Sequence, residues 1–153
     1  MKEFDLTVVT PEKVTFEGKV EYLSLPAEKG SMGVLPGHIS SLVLLQEGIV
    51  TLRKPDGTDF LAISGGFVEI SPRHTVVFAE TAELAGEVDL ERAKLAAQRA
   101  KDALLKSTPK ETQQEIDIEQ ARAALRRALV RLKTFEIYTR QRKTGPVFPG
   151  QEN

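Results

Sequence analysis

The chain has 153 residues, 41% of them hydrophobic, and a formal net charge of −1. This length suits one domain, or a compact domain of about ninety residues with a helical appendage, and we favour the second. Because there is no cysteine and only two histidines, His38 and His74, we expect no disulfide and no His/Cys metal site, and a reducing cytoplasm fits. No apolar run approaches the roughly 20 residues that span a bilayer and the N-terminus lacks a signal core, so we expect neither secretion nor a membrane span.

Charge is distributed unevenly along the chain. Residues 1–86 hold seven Lys/Arg and twelve Asp/Glu, a net charge of −5, whereas residues 87–153 hold fourteen and ten, a net charge of +4. The basic part raises the question of a nucleic-acid partner. We expect none, because the arginines are interleaved with acids and no aromatic stacking platform accompanies them.

Short alternating runs separated by turn residues fill the first 86 residues. Their spacing of roughly 8–12 residues is typical of an all-β sandwich. Pro55-Asp56-Gly57 predicts a hairpin turn, and Gly65-Gly66 predicts a bulge or a close approach of two backbones. The predicted strands cover residues 3–9, 14–20, 22–26, 41–46, 48–54, 59–64, 66–70 and 75–81.

A glycine- and proline-rich stretch, residues 27–38, interrupts this pattern and predicts a structured irregular loop. It lacks the Gly-x-x-x-x-Gly-Lys-Ser/Thr pattern and no helix follows, so it is not a phosphate-binding loop. Two interpretations remain open. The loop is either a tight turn at one end of the sandwich or a contact site in which Met32, flanked by glycines, is exposed to a partner.

The chain changes from strands to helices between Glu87 and Ala93. Asp89 suits an N-cap, so a helix is predicted over about 90–105, and Gly86 just before it supplies a flexible joint. Apolar residues recur on one face of this helix at steps of three and four. They are Leu90, Ala93, Ala97, Ala100 and Leu104.

A second helix is predicted over about 110–138, with Thr108, Pro109 and Glu111 forming its capping box. Its apolar seam consists of Ile118, Ala121, Leu125, Ala128, Leu132 and Phe135. The short connection predicts an antiparallel pair, which is marginally stable alone because alanine buries little area.

The predicted fold is therefore α+β in two parts. Residues 1–86 form an all-β sandwich. Residues 87–140 form an antiparallel two-helix hairpin, and residues 141–153, with two Gly/Pro pairs, form a flexible tail.

Several segments together resemble one family, the epsilon subunit of bacterial and chloroplast F-type ATP synthases. They are Leu6-Thr7-Val8-Val9-Thr10-Pro11-Glu12, Gly33-Val34-Leu35-Pro36-Gly37-His38, Ile63-Ser64-Gly65-Gly66-Phe67-Val68-Glu69 and the alanine-rich hairpin. The resemblance implies a β-sandwich of about ten strands followed by a helical hairpin, seated on the central rotating shaft with the gamma subunit. It also implies that the loop with Ser31, Met32 and His38 contacts the membrane rotor ring or shaft.

Some members of that family bind ATP through a pattern resembling Ile/Leu-Asp-x-x-Arg-Ala. Here Val88-Asp89-Leu90-Glu91-Arg92-Ala93 matches it except at the first residue. The resemblance assigns an ATP site to Glu83, Asp89, Arg92, Arg99, Arg122 and Arg126. Within each helix the arginine spacing places the pair on one face, so converging faces would surround a polyphosphate with guanidinium groups. The alternative is that these arginines are solvated and paired with Glu119 and Glu91, and that Asp89 only caps.

The function that the resemblance implies is a non-catalytic subunit that couples ion translocation to ATP synthesis and regulates ATP hydrolysis through a mobile hairpin. It requires no cofactor, with ATP as a regulatory ligand. Its partners would be the gamma subunit, the rotor ring and, through an extended hairpin, the catalytic head, while the isolated chain would be a monomer. It would lie at the cytoplasmic face of a bacterial membrane, or the stromal face of a thylakoid. The alternatives are a free-standing ATP sensor and a coiled-coil adaptor.

Overall fold

A computed structural model describes residues 2–106 and 112–144. Within them the strands are β1 (Phe4–Val9), β2 (Val14–Val20), β3 (Tyr22–Ala27), β4 (Gly30–Val34), β5 (Ser41–Lys54), β6 (Gly57–Ile70), β7 (His74–Ala79) and β8 (Ala82–Leu84). A short 3₁₀ turn, Ala85–Glu87, leads to helices α1 (Leu90–Lys106) and α2 (Thr112–Thr144). The predicted order of a β-sandwich followed by a two-helix hairpin is confirmed.

The strands form one sheet in the order β2-β1-β7-β6-β5-β3-β4, with β8 paired to β6. Only the pairing of β1 with β7 is parallel among the described strands. The first half of β6 pairs with β8 and its second half pairs with β7, so the long β5–β6 hairpin takes part in both layers of the sandwich. About ten strands were predicted, and eight are found, because four of the predicted runs merge into these two long strands.

Gly65 and Gly66 mark the point at which β6 changes its partner. Their φ angles are +121° and +136°, which side-chain-bearing residues rarely adopt. A Cβ on Gly66 would lie 2.0 Å from the carbonyl oxygen of Phe78, so the predicted close approach of two backbones is confirmed. The Pro55-Asp56 turn also forms as predicted, with Lys54 paired to Gly57.

The core of the sandwich lies between its layers and is aliphatic. Alternate residues of each strand point inward, as the period of two requires. The largest fully buried side chains are Leu6, Val8, Val20, Leu23, Leu25, Val34, Val50, Leu52, Leu61, Val68, Ile70 and Val77. The sheet therefore has a large core of its own.

The prediction of an irregular loop over residues 27–38 is wrong for residues 30–34, which form β4. Met32 pairs with the fully buried Leu25 of β3, and since cross-strand partners face the same side of a sheet, its side chain packs against the core. Met32 is therefore half-buried rather than an exposed contact residue. The flanking glycines do not prevent pairing, because β4 bonds to β3 through its backbone.

The two helices follow the predicted apolar seams. The Oδ1 atom of Asp89 accepts a 3.0 Å hydrogen bond from the backbone N–H of Arg92, which confirms the N-cap. Ala93, Ala97, Ala100 and Ala128 are buried. Helix α2 continues to Thr144, past its predicted end and into the predicted tail. The predicted capping box at Thr108 and Glu111 lies outside the described residues.

Helix α2 packs on β5 and β6 and joins the hairpin to the sandwich. Two ion pairs bridge the parts: Arg126 with Glu47 of β5, and Arg131 with Glu83 of β8, the latter at 2.9 Å. The hairpin is thus docked against the sandwich, and α1, α2 and β8 meet around one cleft.

Candidate functional site

A cleft of about 670 Å³ lies where the hairpin meets the sandwich. Charged side chains dominate its walls, and Ala93, Leu95 and Ala96 supply an apolar part. The charged residues that line it are Glu83, Asp89, Glu91, Arg92, Arg99 and Arg131. Of the six predicted ATP-site residues, the structure therefore brings four together: Glu83, Asp89, Arg92 and Arg99.

Helix α1 contributes one continuous face to the cleft. Arg92, Leu95, Ala96 and Arg99 follow the i, i+3, i+4, i+7 spacing that places side chains on the same side of a helix. Asp89 caps this helix, so its carboxylate is held at the start of the same face. The arrangement places two guanidinium groups one above the other beside an apolar strip.

Arg131 of α2 completes the cleft and was not predicted from the sequence. Its Nε donates a 2.9 Å hydrogen bond to Oε2 of Glu83, and both side chains are about one-third exposed, 37% and 31%. In an antiparallel pair the later half of the second helix lies beside the start of the first. Because Asp89 stands at the start of α1, this rule indicates that residues in the later half of α2, such as Arg131, lie near it.

Arg122 and Arg126 do not line the cleft. Nη1 of Arg122 donates to Glu119 at 2.9 Å in an exposed pair, and Nε of Arg126 donates to Glu47 of β5. The alternative interpretation, that Glu119 neutralises an arginine, therefore holds for Arg122. Glu91 instead lies 3.6 Å from Lys94.

Two of the charged groups in the cleft already have hydrogen-bond partners within the protein. Glu83 is engaged by Arg131 and Asp89 by the helix backbone. Across the described ranges, Arg92 and Arg99 form no salt bridge, so their guanidinium groups face the cleft without a carboxylate partner there. Such groups are suited to a ligand that carries phosphate or carboxylate oxygens.

Ser31, Met32 and His38, the residues predicted to contact the rotor ring or shaft, lie in or shortly after β4 and do not line the cleft. Ser31 is exposed on β4, and His38 is half-buried with its Nδ1 2.8 Å from the carbonyl oxygen of Ile39. Met32 supports the core instead, as described above. Ser31 is therefore accessible to a partner, and His38 and Met32 are partly accessible.

An exposed apolar row crosses β5, β6 and β7 and was also missed. Leu42 and Leu44 are 72% and 73% exposed, and Leu44 pairs with Phe67, whose ring stacks on Phe78 at 4.8 Å between centroids. The sequence could have indicated this row, because four consecutive residues of the strand, Leu42-Val43-Leu44-Leu45, are all apolar, which places apolar side chains on both faces of the strand. A strand with one solvated face would alternate instead.

Within residues 2–106 and 112–144, no group of three or more His, Asp or Glu side chains is placed to hold a metal ion. In the same part of the chain, neither helix combines the length and apolar character needed to cross a membrane.

Two family models together match most of the chain. The model of the ATP synthase Delta/Epsilon chain beta-sandwich domain matches residues 3–85, and that of the Delta/Epsilon chain long alpha-helix domain matches residues 87–136. The chain belongs to this family. The boundary between the matches falls at Gly86, which agrees with the change from strands to helices, and the last two turns of α2 lie beyond the matched segment.

Curated relatives narrow the assignment to the epsilon chain. The ATP synthase epsilon chain of Bacillus licheniformis is 40% identical over 132 residues, which are 86% of this chain and 97% of the relative. That of Staphylococcus haemolyticus is 41% identical over 138 residues, which are 90% of this chain and 99% of the relative. The chain is thus an epsilon-type member of the F-type ATP synthase family.

Solved structures support the fold at lower sequence identity. A chain in the cryo-EM structure of Euglena gracilis mitochondrial ATP synthase, OSCP/F1/c-ring, superposes with a TM-score of 0.71 at 22% identity, covering 90% of this chain and 81% of that chain. A chain of the Tetrahymena thermophila mitochondrial ATP synthase central stalk/c-ring gives a TM-score of 0.55 at 12% identity, covering 88% and 97%. Both confirm the sandwich-and-hairpin fold.

Proposed function

We propose that this epsilon-type chain is a non-catalytic subunit of the central stalk, and that its hairpin regulates ATP hydrolysis by the synthase and binds ATP when docked. The observation that carries the nucleotide part is the cleft in which Arg92 and Arg99 of α1 meet Arg131 of α2. Three guanidinium groups from two helices form a binding site for a polyphosphate, because each planar group can bind two oxygens at once.

The remaining walls of the cleft suit the other parts of a nucleotide. Its volume of about 670 Å³ is in the range of small-molecule sites. Leu95 and Ala96 offer an apolar surface for a base. Glu83 and Asp89 are anionic, so they would accept hydrogen bonds from the ribose or base, or orient the arginines, and would not contact phosphate.

Binding in this cleft would favour the docked hairpin. The cleft takes residues from β8, α1 and α2, so it exists only while these elements are together. A ligand that binds this state alone stabilises it by RT ln(1 + [L]/Kd), about 2.7 kcal/mol when the ligand exceeds Kd a hundredfold. ATP would thereby hold the hairpin against the sandwich and away from the catalytic head.

The surfaces of the sandwich support stalk partners. The exposed row of Leu42, Leu44 and Phe67 is the kind of apolar surface that a permanent partner covers, and we assign it to the gamma subunit of the shaft. Ser31 and His38 are assigned to the rotor ring or shaft. The basic hairpin, when extended, is assigned to the catalytic head. The complex would place the chain peripherally at the cytoplasmic face of a bacterial membrane, or at a thylakoid stromal face.

Calorimetric titration of ATP into the isolated chain tests the nucleotide site. We expect Arg131→Ala to weaken binding by about 1.5–3 kcal/mol, as the loss of a hydrogen-bonded charged group does. Arg126→Ala is the matched control from the same helix, since that side chain bonds Glu47 outside the cleft. Circular dichroism of both variants should match the parent spectrum.

The outcomes of this titration separate the two assignments of the site. If Arg126→Ala weakened binding and Arg131→Ala did not, the sequence-based set with Arg122 and Arg126 would be the better one. If millimolar ATP gave no heat with the parent chain, the nucleotide part of the proposal would be rejected.

Deleting residues 87–153 from the chain in a reconstituted synthase tests the regulatory part. We expect ATP hydrolysis to increase, because the basic hairpin that would hinder the catalytic head is gone. Unchanged hydrolysis would contradict inhibition by the hairpin. Co-purification of a gamma-type shaft protein with the full chain distinguishes the stalk subunit from a free-standing ATP sensor and from a self-associating coiled-coil adaptor.

A further inference from the structure

The joint between the sandwich and the hairpin is in contact with the far end of α2. Gly86 is the middle residue of the 3₁₀ turn Ala85–Glu87, directly before the helical part of the chain. Tyr138 lies on α2, beyond the segment that the helical family model matches. A Cβ built on Gly86 would stand 3.1 Å from the Tyr138 Oη and 3.4 Å from its Cζ.

This contact gives Gly86 a role other than flexibility. The glycines with φ in the left-handed region, among the described residues, are Gly30, Gly37, Gly57, Gly65 and Gly66. Gly86 is not among them, and a residue in a 3₁₀ turn has dihedral angles that alanine adopts freely. The backbone therefore does not require glycine here. A side chain at this position would instead crowd the hydroxyl end of Tyr138.

Tyr138 is held in position from its other side. Nη1 of Arg142, one turn later, donates a 3.1 Å hydrogen bond to Oη of Tyr138, and the Arg142 guanidinium carbon lies 5.5 Å from the ring centroid. The half-buried ring also borders a small cavity of about 180 Å³ with Phe60 and Leu84 of the sandwich. Its aromatic surface is therefore shared between the two parts of the molecule.

We propose that Tyr138 is a latch that holds the hairpin docked by packing against the joint at Gly86. It does not line the arginine cleft, so it acts without nucleotide. Extension of the hairpin requires Tyr138 to leave the joint, and the docked state is consequently favoured even in the ligand-free chain. This inference rests on the mobile hairpin of the proposed function and on the docked geometry, and not on ATP binding.

The absence of cysteine allows the docked population to be measured directly. Spin labels on Glu17→Cys in β2 and Leu105→Cys at the end of α1 report the distance between the sandwich and the hairpin by pulsed electron resonance, without ATP. We expect one main distance from docked chains and a minor population of undocked chains in the parent. Tyr138→Ala should raise the undocked population about fivefold or more, the effect of losing a modest contact in a two-state balance.

The matched control is Lys133→Ala, an exposed position on the same helix. It should leave the distance distribution unchanged. Tyr138→Ala that also left the distribution unchanged, with the sheet signal in circular dichroism intact, would overturn the latch. So would an equal rise in both variants, which would indicate a general weakening of α2.

A double substitution tests the contact itself. Gly86→Ala alone should shift the distribution toward undocked chains, because the new methyl group crowds the Tyr138 Oη. In the Tyr138→Ala background, Gly86→Ala should add no further shift, since the crowding partner is gone and contacting residues are not additive. Equal shifts in both backgrounds would show that Gly86 acts through joint flexibility, and would reject the latch.

Discussion

The sandwich and the hairpin of this chain are built from side chains of different size. The sandwich buries leucine, isoleucine and valine completely, whereas the fully or nearly buried positions of the hairpin are mostly alanines, such as Ala97 and Ala128. The larger hairpin residues Leu95, Leu105 and Leu129 are exposed. Burying a leucine side chain contributes about 1.5–3 kcal/mol, while a methyl group contributes about 0.8 kcal/mol. Each buried side chain therefore contributes less to holding the hairpin than to the sandwich core.

The contacts between the two parts reinforce this difference. Arg126 with Glu47 and Arg131 with Glu83 are partly exposed ion pairs, and pairs of this kind contribute only about 0–1 kcal/mol each. Docking of the hairpin thus depends on several weak contacts made at once. In the mechanism proposed above, a ligand in the cleft or a competing partner would therefore have to supply only a few kcal/mol to shift the hairpin.

The largest expected effect comes from the sandwich core. Leu61→Ala removes a fully buried side chain of β6 and should lower the free energy of unfolding by about 2–5 kcal/mol. The control is Leu42→Ala, whose side chain is 72% exposed on β5, and which should change stability by less than about 0.5 kcal/mol. Urea unfolding followed by circular dichroism measures both. Equal losses would mean that the exposed row contributes to the core.

Removing the hairpin should lower the free energy of unfolding by less than Leu61→Ala does. Residues 1–86 alone should keep a cooperative unfolding transition, with a loss of about 1–3 kcal/mol from the two ion pairs and the partly buried tyrosine. The measurement is the urea midpoint and slope of the truncated chain. A broad transition without cooperativity would show that the sandwich depends on the hairpin, and would contradict the division at residue 86.

A smaller effect is expected at the start of the hairpin. Asp89→Ala removes the acceptor for the backbone N–H of Arg92 and should cost about 1 kcal/mol of helix stability. Amide hydrogen exchange of α1 should rise, while exchange in β6 stays unchanged. Asp89→Asn keeps a capping oxygen and should restore most of the protection. Faster exchange in both parts would contradict their independence.

Local signals in the sequence predicted most of the fold. Alternation located the sandwich strands, and the cap at Asp89 and the alanine seam located α1. Strand β4 was missed because its glycines have low strand propensity, yet its backbone groups still pair with β3. The sequence predicted two strands on either side of Gly65, because glycines often end strands, whereas the structure has the single strand β6. In each case the tertiary pairing overrode the local preference.

The candidate site was predictable only within each element. The spacing of Arg92 and Arg99 showed that they share a helix face, and both line the cleft. The choice among the arginines of α2 depends on how far one helix is displaced along the other. Spacing within a helix carries no information on that displacement, so spacing alone did not identify Arg131 as a cleft residue, and Arg122 and Arg126 were assigned from the family resemblance.

The smallest expected effect lies at the turn that joins β5 and β6. Nζ of Lys54 is 2.9 Å from Oδ2 of Asp59 and 3.6 Å from Oδ1 of Asp56. The hydrogen bond to Asp59, with the charges of both carboxylates, outweighs partial burial and raises the pKa of Lys54 above its ordinary value of 10.5. A raised pKa stabilises the folded chain below pH 10.5, and this contribution disappears as the pH rises through the folded-state pKa.

Asp59→Asn tests this pH dependence. Because the lysine side chain is 25% exposed, the loss at pH 8 should stay under about 1 kcal/mol. The difference in urea midpoint between the parent chain and the variant should narrow as the pH rises through the folded-state pKa of Lys54, which lies above 10.5, since beyond it both carry a neutral lysine. A difference that stayed constant across this range would assign the effect of Asp59 to the geometry of the turn rather than to the charge of Lys54.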